Sequence, residues 1–198
     1  MSAKFKKSTS IKITILAILL FANLIFAQMK NSEHISLFNA SFLNAGIKDA
    51  SGFGYNFSFT KDFMGIPITL DYKKMSEFEG IWVSDEKFPK SNFSQLAIMA
   101  GYFDPKVPIL ASTGIGLIKS KYRGKLIKIE EFEGFIFPAE TKKYYAEKNK
   151  YTLTIPIEVK FLFLYKNTFG GSLGLFTSLN KNSSIVGFNL GIALGKVK

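Results

Sequence analysis

Two short pairs of opposite charge, Asp71 with Lys73 and Glu158 with Lys160, stand inside segments that are otherwise largely apolar or small. Residues i and i+2 of an extended strand share a face, so each pair presents an acid and a base side by side. Four such groups brought together have three uses: a self-neutralising ion cluster, a gated ion path, or a site for a charged ligand. Catalysis has less to draw on. A hydroxyl or water nucleophile needs a base near neutral pH, and the chain holds a single histidine, His34. It holds no cysteine, which excludes disulfides, thiolate metal sites and lipid attachment through a thiol. No metal cluster, phosphate loop or dinucleotide motif occurs, so no cofactor and no enzyme activity are expected. Gly52-Phe53-Gly54 and Gly114-Ile115-Gly116 read as strand glycines that make room beside them, not as phosphate cradles.

The elements that must position these charges are strands. From Ile185 to Lys196, Val186, Phe188, Leu190, Ile192 and Leu194 alternate with Gly187, Asn189, Gly191, Ala193 and Gly195. A soluble sheet usually carries Lys, Glu, Asp and Arg on its polar face. A face of Gly, Asn and Ala suits the inside of a narrow closed barrel, and the apolar face then meets lipid. Seven further segments alternate in the same way: about 34–44, 53–61, 66–74, 93–103, 108–118, 151–165 and 169–179. The clearest is 53–61, where Phe53, Tyr55, Phe57 and Phe59 oppose Gly54, Asn56, Ser58 and Thr60. The facing of 34–44 stays open. Pro156 cannot donate to a strand ladder, and a β-bulge is expected there. The predicted fold is therefore all-β, an eight-stranded antiparallel up-and-down transmembrane β-barrel preceded by a cleaved signal peptide.

The signal is read from Lys4, Lys6, Lys7 and Lys12 followed by an apolar run from Ile13 to Phe26, with cleavage after Ala27. That run is short of the roughly 20 residues of a membrane-spanning helix. Residues 1–27 thus form the signal and 28–198 one barrel domain. Without the signal, 22 basic side chains face 15 acidic ones, and Arg123 is the sole arginine. Export and the lack of any reading module exclude nucleic acid as a partner. The connections fit the topology: 62–65, 104–107 and 166–168 are short, as turns on the periplasmic side should be. The long ones, 75–92 and 122–150, both fall on the external side, with 45–52 and 180–184.

Counting along the strands from the periplasmic turns places Asp71 level with Lys160 and Lys73 level with Glu158, all pointing inward. The predicted site is thus a lumen charge cluster of Asp71, Lys73, Glu158 and Lys160, chiefly a plug. Outside, residues 119–150 hold nine basic and five acidic side chains. Arg123, Lys125, Lys128, Lys142, Lys143, Tyr144 and Tyr145 form the candidate external surface. Its lysines suit lipopolysaccharide phosphates in an outer-membrane lipid leaflet. Phe132, Phe135, Ile136 and Phe137 suit a surface protein partner instead. The loop 76–92, with Trp82, Glu77, Glu79, Asp85 and Glu86, is expected to pack on it by opposite charge.

The export signal, the eight segments, the IPIEVKF stretch from Ile155 to Phe161 and the closing GFNLGIALGK resemble small outer-membrane β-barrel proteins of Gram-negative bacteria. The IPxxxK pattern before a glycine-rich hairpin is similar to the outer-membrane protein beta-barrel domain family of Bacteroidota. The resemblance implies a non-enzymatic integral outer-membrane protein, inserted by the barrel assembly machinery, with a structural or surface-binding role. Many such barrels end on an aromatic residue, whereas this sequence ends Gly195-Lys196-Val197-Lys198. Two alternatives remain: a soluble exported lipocalin-like barrel with its Phe and Leu faces turned inward around an apolar ligand, and a small diffusion pore.

Overall fold

The computed structural model describes residues 35–47, 50–78, 85–104, 106–132, 140–181 and 184–197. His34 and the signal segment lie outside the described residues, as do Glu79, Trp82, Phe135, Ile136 and Phe137. The strands are β1 (Ile35–Ile47), β2 (Ala50–Phe63), β3 (Ile66–Glu77), β4 (Asp85–Phe88), β5 (Asn92–Asp104), β6 (Ile109–Phe132), β7 (Glu140–Tyr165), β8 (Phe169–Leu179) and β9 (Ile185–Val197). Eight of them close a ring in the order β1-β2-β3-β5-β6-β7-β8-β9, each antiparallel to the next, with β9 returning to β1. The ninth, β4, lies outside the ring and runs parallel to β7 from Thr141 to Tyr144.

Alternation decides which side chain faces which solvent. Along β9 the larger apolar residues Val186, Phe188, Leu190, Ile192 and Leu194 stand on the outer wall, and Asn189 and Ala193 are fully buried inside. On β2, Phe53, Tyr55, Phe57 and Phe59 point out, while Asn56, Ser58 and Thr60 point in. The question left open for the first strand is settled by β1: Phe38 and Phe42 face out, and Leu37, Asn39, Ser41 and Leu43 face in. The opposed residues Phe57, Tyr72, Leu96, Leu117 and Leu153 form one continuous apolar row across β2, β3, β5, β6 and β7. A lipocalin-like arrangement needs these faces reversed, and the structure overturns it.

The interior is more apolar than the expected small and polar filling. At the short-turn end Ile35, Leu37, Phe103, Leu110, Leu162 and Val197 pack into a buried cluster. At the opposite end Leu43, Met75, Phe93, Ile118, Phe176 and Ile185 pack into another. Between them lie the charged residues and a set of buried Ser, Thr, Asn and Gln side chains. Eight strands leave a lumen just wide enough for side chains. Among the described residues the two buried apolar clusters fill it above and below the charges, which argues against the diffusion-pore alternative.

Two connections and one strand position differ from the sequence expectation. The link between β1 and β2 spans only residues 48 and 49, not 45–52, because both strands continue to Ile47 and from Ala50. No bulge forms at Pro156: Thr113 faces Ile157 and Gly116 faces Thr154 in an unshifted register, and Pro156 pairs with Ser178 on β8. The Thr113 hydroxyl donates to the Pro156 carbonyl at 2.8 Å, giving this proline a side-chain partner on the β6 side. Finally, 122–150 is mostly not a loop. β6 and β7 continue past the last β5–β6 pair, Asn92 with Lys121, as a hairpin beyond the ring, joined along Thr141 to Tyr144 by β4.

Candidate functional site

The chain brings all four inward charges together at mid-height, each at most 2 % exposed. Asp71 and Lys73 come from β3, Glu158 and Lys160 from β7, on opposite walls of the lumen. The Lys73 ammonium sits 2.6 Å from Asp71 Oδ2 and 3.2 Å from Glu158 Oε2, with the Phe176 ring centroid at 4.9 Å. Lys160 lies 3.6 Å from Glu158 Oε1 and donates to Ser58 Oγ at 3.0 Å. Glu158 Oε1 also accepts from Asn189 Nδ2 at 2.8 Å, and Asp71 Oδ1 from Asn56 Nδ2 at 2.6 Å. Asn56 in turn accepts from Ser41 at 3.1 Å.

The level-by-level pairing expected from residue counting holds for Lys73 with Glu158, but Lys160 turns to Ser58 and Glu158. The reason is the reach of Lys73: three donors on a flexible stem span both carboxylates at once. The result is one network running from β1 through β2 and β3 to β7 and β9. Two acids and two bases balance in charge, and each acid has hydrogen-bond donors besides its lysine. Buried ions are tolerated only under such conditions. Sequence counting found the four charges and missed Asn56, Ser58 and Asn189, whose only signal was their inward position in the alternation.

The second cluster is the projecting hairpin, where all seven residues of the expected external surface stand. Arg123 makes a two-pronged contact with Glu77, at 2.6 and 2.9 Å, and its guanidinium lies 6.0 Å from the Tyr145 ring centroid. Glu77 also accepts from the Ser91 backbone amide at 2.7 Å, which ties the base of the hairpin to the rim beside β5. Among the described side chains, Glu77 makes the expected contact between the acidic and basic segments. Beyond it, β4 pairs with β7, and Phe88 stacks on Tyr144 at 5.6 Å. Lys128 reaches Glu130 at 2.6 Å, and Tyr144 donates to the same carboxylate at 3.0 Å. These hydrogen bonds hold the Glu130 carboxyl below its ordinary pKa; Lys121 and Asn149 do the same for Glu147. Lys125 is exposed, Lys142 stands opposite Glu130, and Lys143 stands opposite Ile129.

The Glu77–Arg123 clamp gives a direct expectation. Arg123→Ala leaves a largely buried carboxylate with a single amide donor, a loss on the order of 1–3 kcal/mol. Amide exchange in residues 122–130 should accelerate roughly tenfold to a hundredfold while ring amides keep their protection. Equal exchange in wild type and variant would show that the clamp does not hold the hairpin.

A closed ring of eight up-and-down strands with an apolar outer belt and a filled lumen is the architecture of small outer-membrane barrels. No protein-family model and no curated protein sequence matches the chain. Among solved structures the chain is similar to Neisserial surface protein A, with a TM-score of 0.53 at 11% identity, covering 83% of this chain and 99% of that one. It is also similar to Ail, the attachment invasion locus protein of Yersinia pestis, at TM-score 0.48 and 14% identity, covering 82% and 97%. The N-terminal β-barrel domain of Pseudomonas aeruginosa OprF gives 0.47 and 10%, covering 83% and 99%. The first of these shows the fold.

Proposed function

We propose that this chain is a non-enzymatic integral outer-membrane barrel with a structural or surface-binding role. It is exported by the signal in residues 1–27, inserted by the barrel assembly machinery, and related to the Bacteroidota outer-membrane barrel family. The observation that carries the reading is the outer wall. Phe42, Phe53, Phe57, Leu96, Ile115, Leu153, Leu175, Leu190 and Ile192 are all about half exposed or more. No water-soluble monomer gains from such a belt, whereas a hydrocarbon layer covers it.

The filled lumen favours a wall rather than a channel. Among the described residues no group of three His, Cys, Asp or Glu is placed to hold a metal ion. Surface contacts then fall to the projecting hairpin, with Leu126, Ile127 and Ile129 exposed among Lys125 and Lys128. A protein partner at this hairpin, and lipopolysaccharide at the rim, are the interactions the surface supports.

Membrane fractionation, followed by gel comparison of unheated and boiled detergent samples, tests the reading. The expected result is recovery with the outer membrane and a heat-dependent shift in migration. Recovery in the soluble periplasmic fraction would overturn it.

A further inference from the structure

One row of opposed residues on the outer wall changes character as it passes round the ring. On β8, β9 and β1 it consists of Leu173, Leu190 and Phe42. Phe42 faces Tyr55 on β2, and the row then continues through Lys74, Ser94 and Lys119 to Tyr151. Strands in a barrel tilt by roughly 35–45°, so a row drawn across them climbs along the axis, by about 3 Å per strand. Leu190 neighbours Asn189 of the mid-height network, and five steps from it to Lys119 amount to about 15 Å, half of a bilayer's hydrocarbon thickness. On that climb Tyr55 stands about 6 Å and Lys74 about 9 Å above Leu190, so the row reaches the edge of the apolar layer at Lys119, and the long Lys74 stem carries its ammonium up to the same level.

We propose that Lys74, Ser94 and Lys119 bind the phosphate of a phosphorylated lipid in the leaflet at the hairpin end. This rests on the membrane-barrel reading. Lys74 and Lys119 are two strand spacings apart, about 10 Å, with the Ser94 hydroxyl between them. Both are exposed, and among the described residues neither has a carboxylate within ion-pair distance. Their neighbour Lys121 is neutralised by Glu147 at 2.6 Å. The Lys119 ammonium lies 5.7 Å from the Tyr151 ring centroid, which steadies it at the interface.

A second observation supplies the other half of a lipid. Two residues toward the belt from Ser94 and Lys119 stand Leu96 and Leu117. Beside them opens an apolar groove of about 220 Å³ lined by Leu70, Leu96, Ile98, Ile115 and Leu153. The strand backbone at Ala97 and Gly116 forms its floor. The lysines hold the phosphate and the groove takes an acyl chain, so a lipid satisfies both where a free anion satisfies one.

Native mass spectrometry of the detergent-extracted protein, titrated with phosphorylated lipid A, dephosphorylated lipid A and inorganic phosphate, tests the site. Each lysine near a membrane surface contributes about fivefold in affinity, so Lys74→Gln with Lys119→Gln should weaken phosphorylated lipid A about thirtyfold. Lys61→Gln with Lys166→Gln, at the short-turn end, should change nothing. Unchanged binding by the first double variant overturns the proposal, as does inorganic phosphate binding as tightly as lipid A. A protein that shows the heat-dependent gel shift but no preference for the phosphorylated lipid sinks this site alone. Absence of the gel shift sinks the barrel reading itself.

Discussion

Glu158→Leu should lower the unfolding free energy of the barrel by about 3–5 kcal/mol, the cost typical of removing one partner from a buried ion group. Glu158 is the junction of the lumen network: it touches Lys73 at 3.2 Å, Lys160 at 3.6 Å and Asn189 at 2.8 Å. Leucine leaves two buried ammoniums facing one carboxylate, with Lys160 held only by the Ser58 hydroxyl. A loss of that size is a large part of an ordinary domain's stability. The temperature at which unheated samples convert to the boiled form on a gel should fall by many degrees. Adding Lys160→Met to Glu158→Leu rebalances the charge and should recover more than half of the loss. A single variant as stable as the wild type would show that the network is incidental to stability.

Leu190→Arg should have an effect whose sign depends on the surroundings. Leu190 is 61% exposed on the outer wall, with Phe42 and Leu173 beside it in adjacent strands. An arginine on the lipid face near the middle of a bilayer costs about 2–4 kcal/mol. The same arginine on a surface washed by water is nearly neutral and improves solubility. Assembly into phospholipid vesicles, scored by the fraction showing the heat-dependent shift, should therefore drop sharply. Lys196→Arg, at the end of the same strand, should leave it intact. Undiminished assembly of the Leu190 variant would argue that this wall faces water.

The sequence made the ring legible because a period of two carries so much contrast here. Phe53, Tyr55, Phe57 and Phe59 against Gly54, Asn56, Ser58 and Thr60 leave little choice of facing. The same contrast pointed Asp71, Lys73, Glu158 and Lys160 inward. It failed where both faces are apolar. Leu37, Leu43 and Leu110 are buried opposite equally apolar outward neighbours, so the two sealing layers were not visible in the pattern. The hairpin was hidden for a different reason. Beyond Lys121 neither face lines the filled lumen, so Lys, Tyr and Glu occur on both faces and periodicity loses its meaning. Register shifts between Arg123 and Lys128 break it further. Lys74 went unnoticed as a site residue because its significance lies in the strand beside it, not in its own.

The length of the β6–β7 hairpin also separates its charges from those of the rim. Lys128 lies nine residues along β6 from Lys119, about 30 Å of extended strand. At physiological ionic strength electrostatic influence decays over about 8 Å, so Lys128 stands several screening lengths along the strand from Lys119. The outermost lysines and glutamates are electrically insulated from the lipid headgroups. Their charge can be altered, or inverted, to meet a different surface without loosening the barrel's hold on its own leaflet.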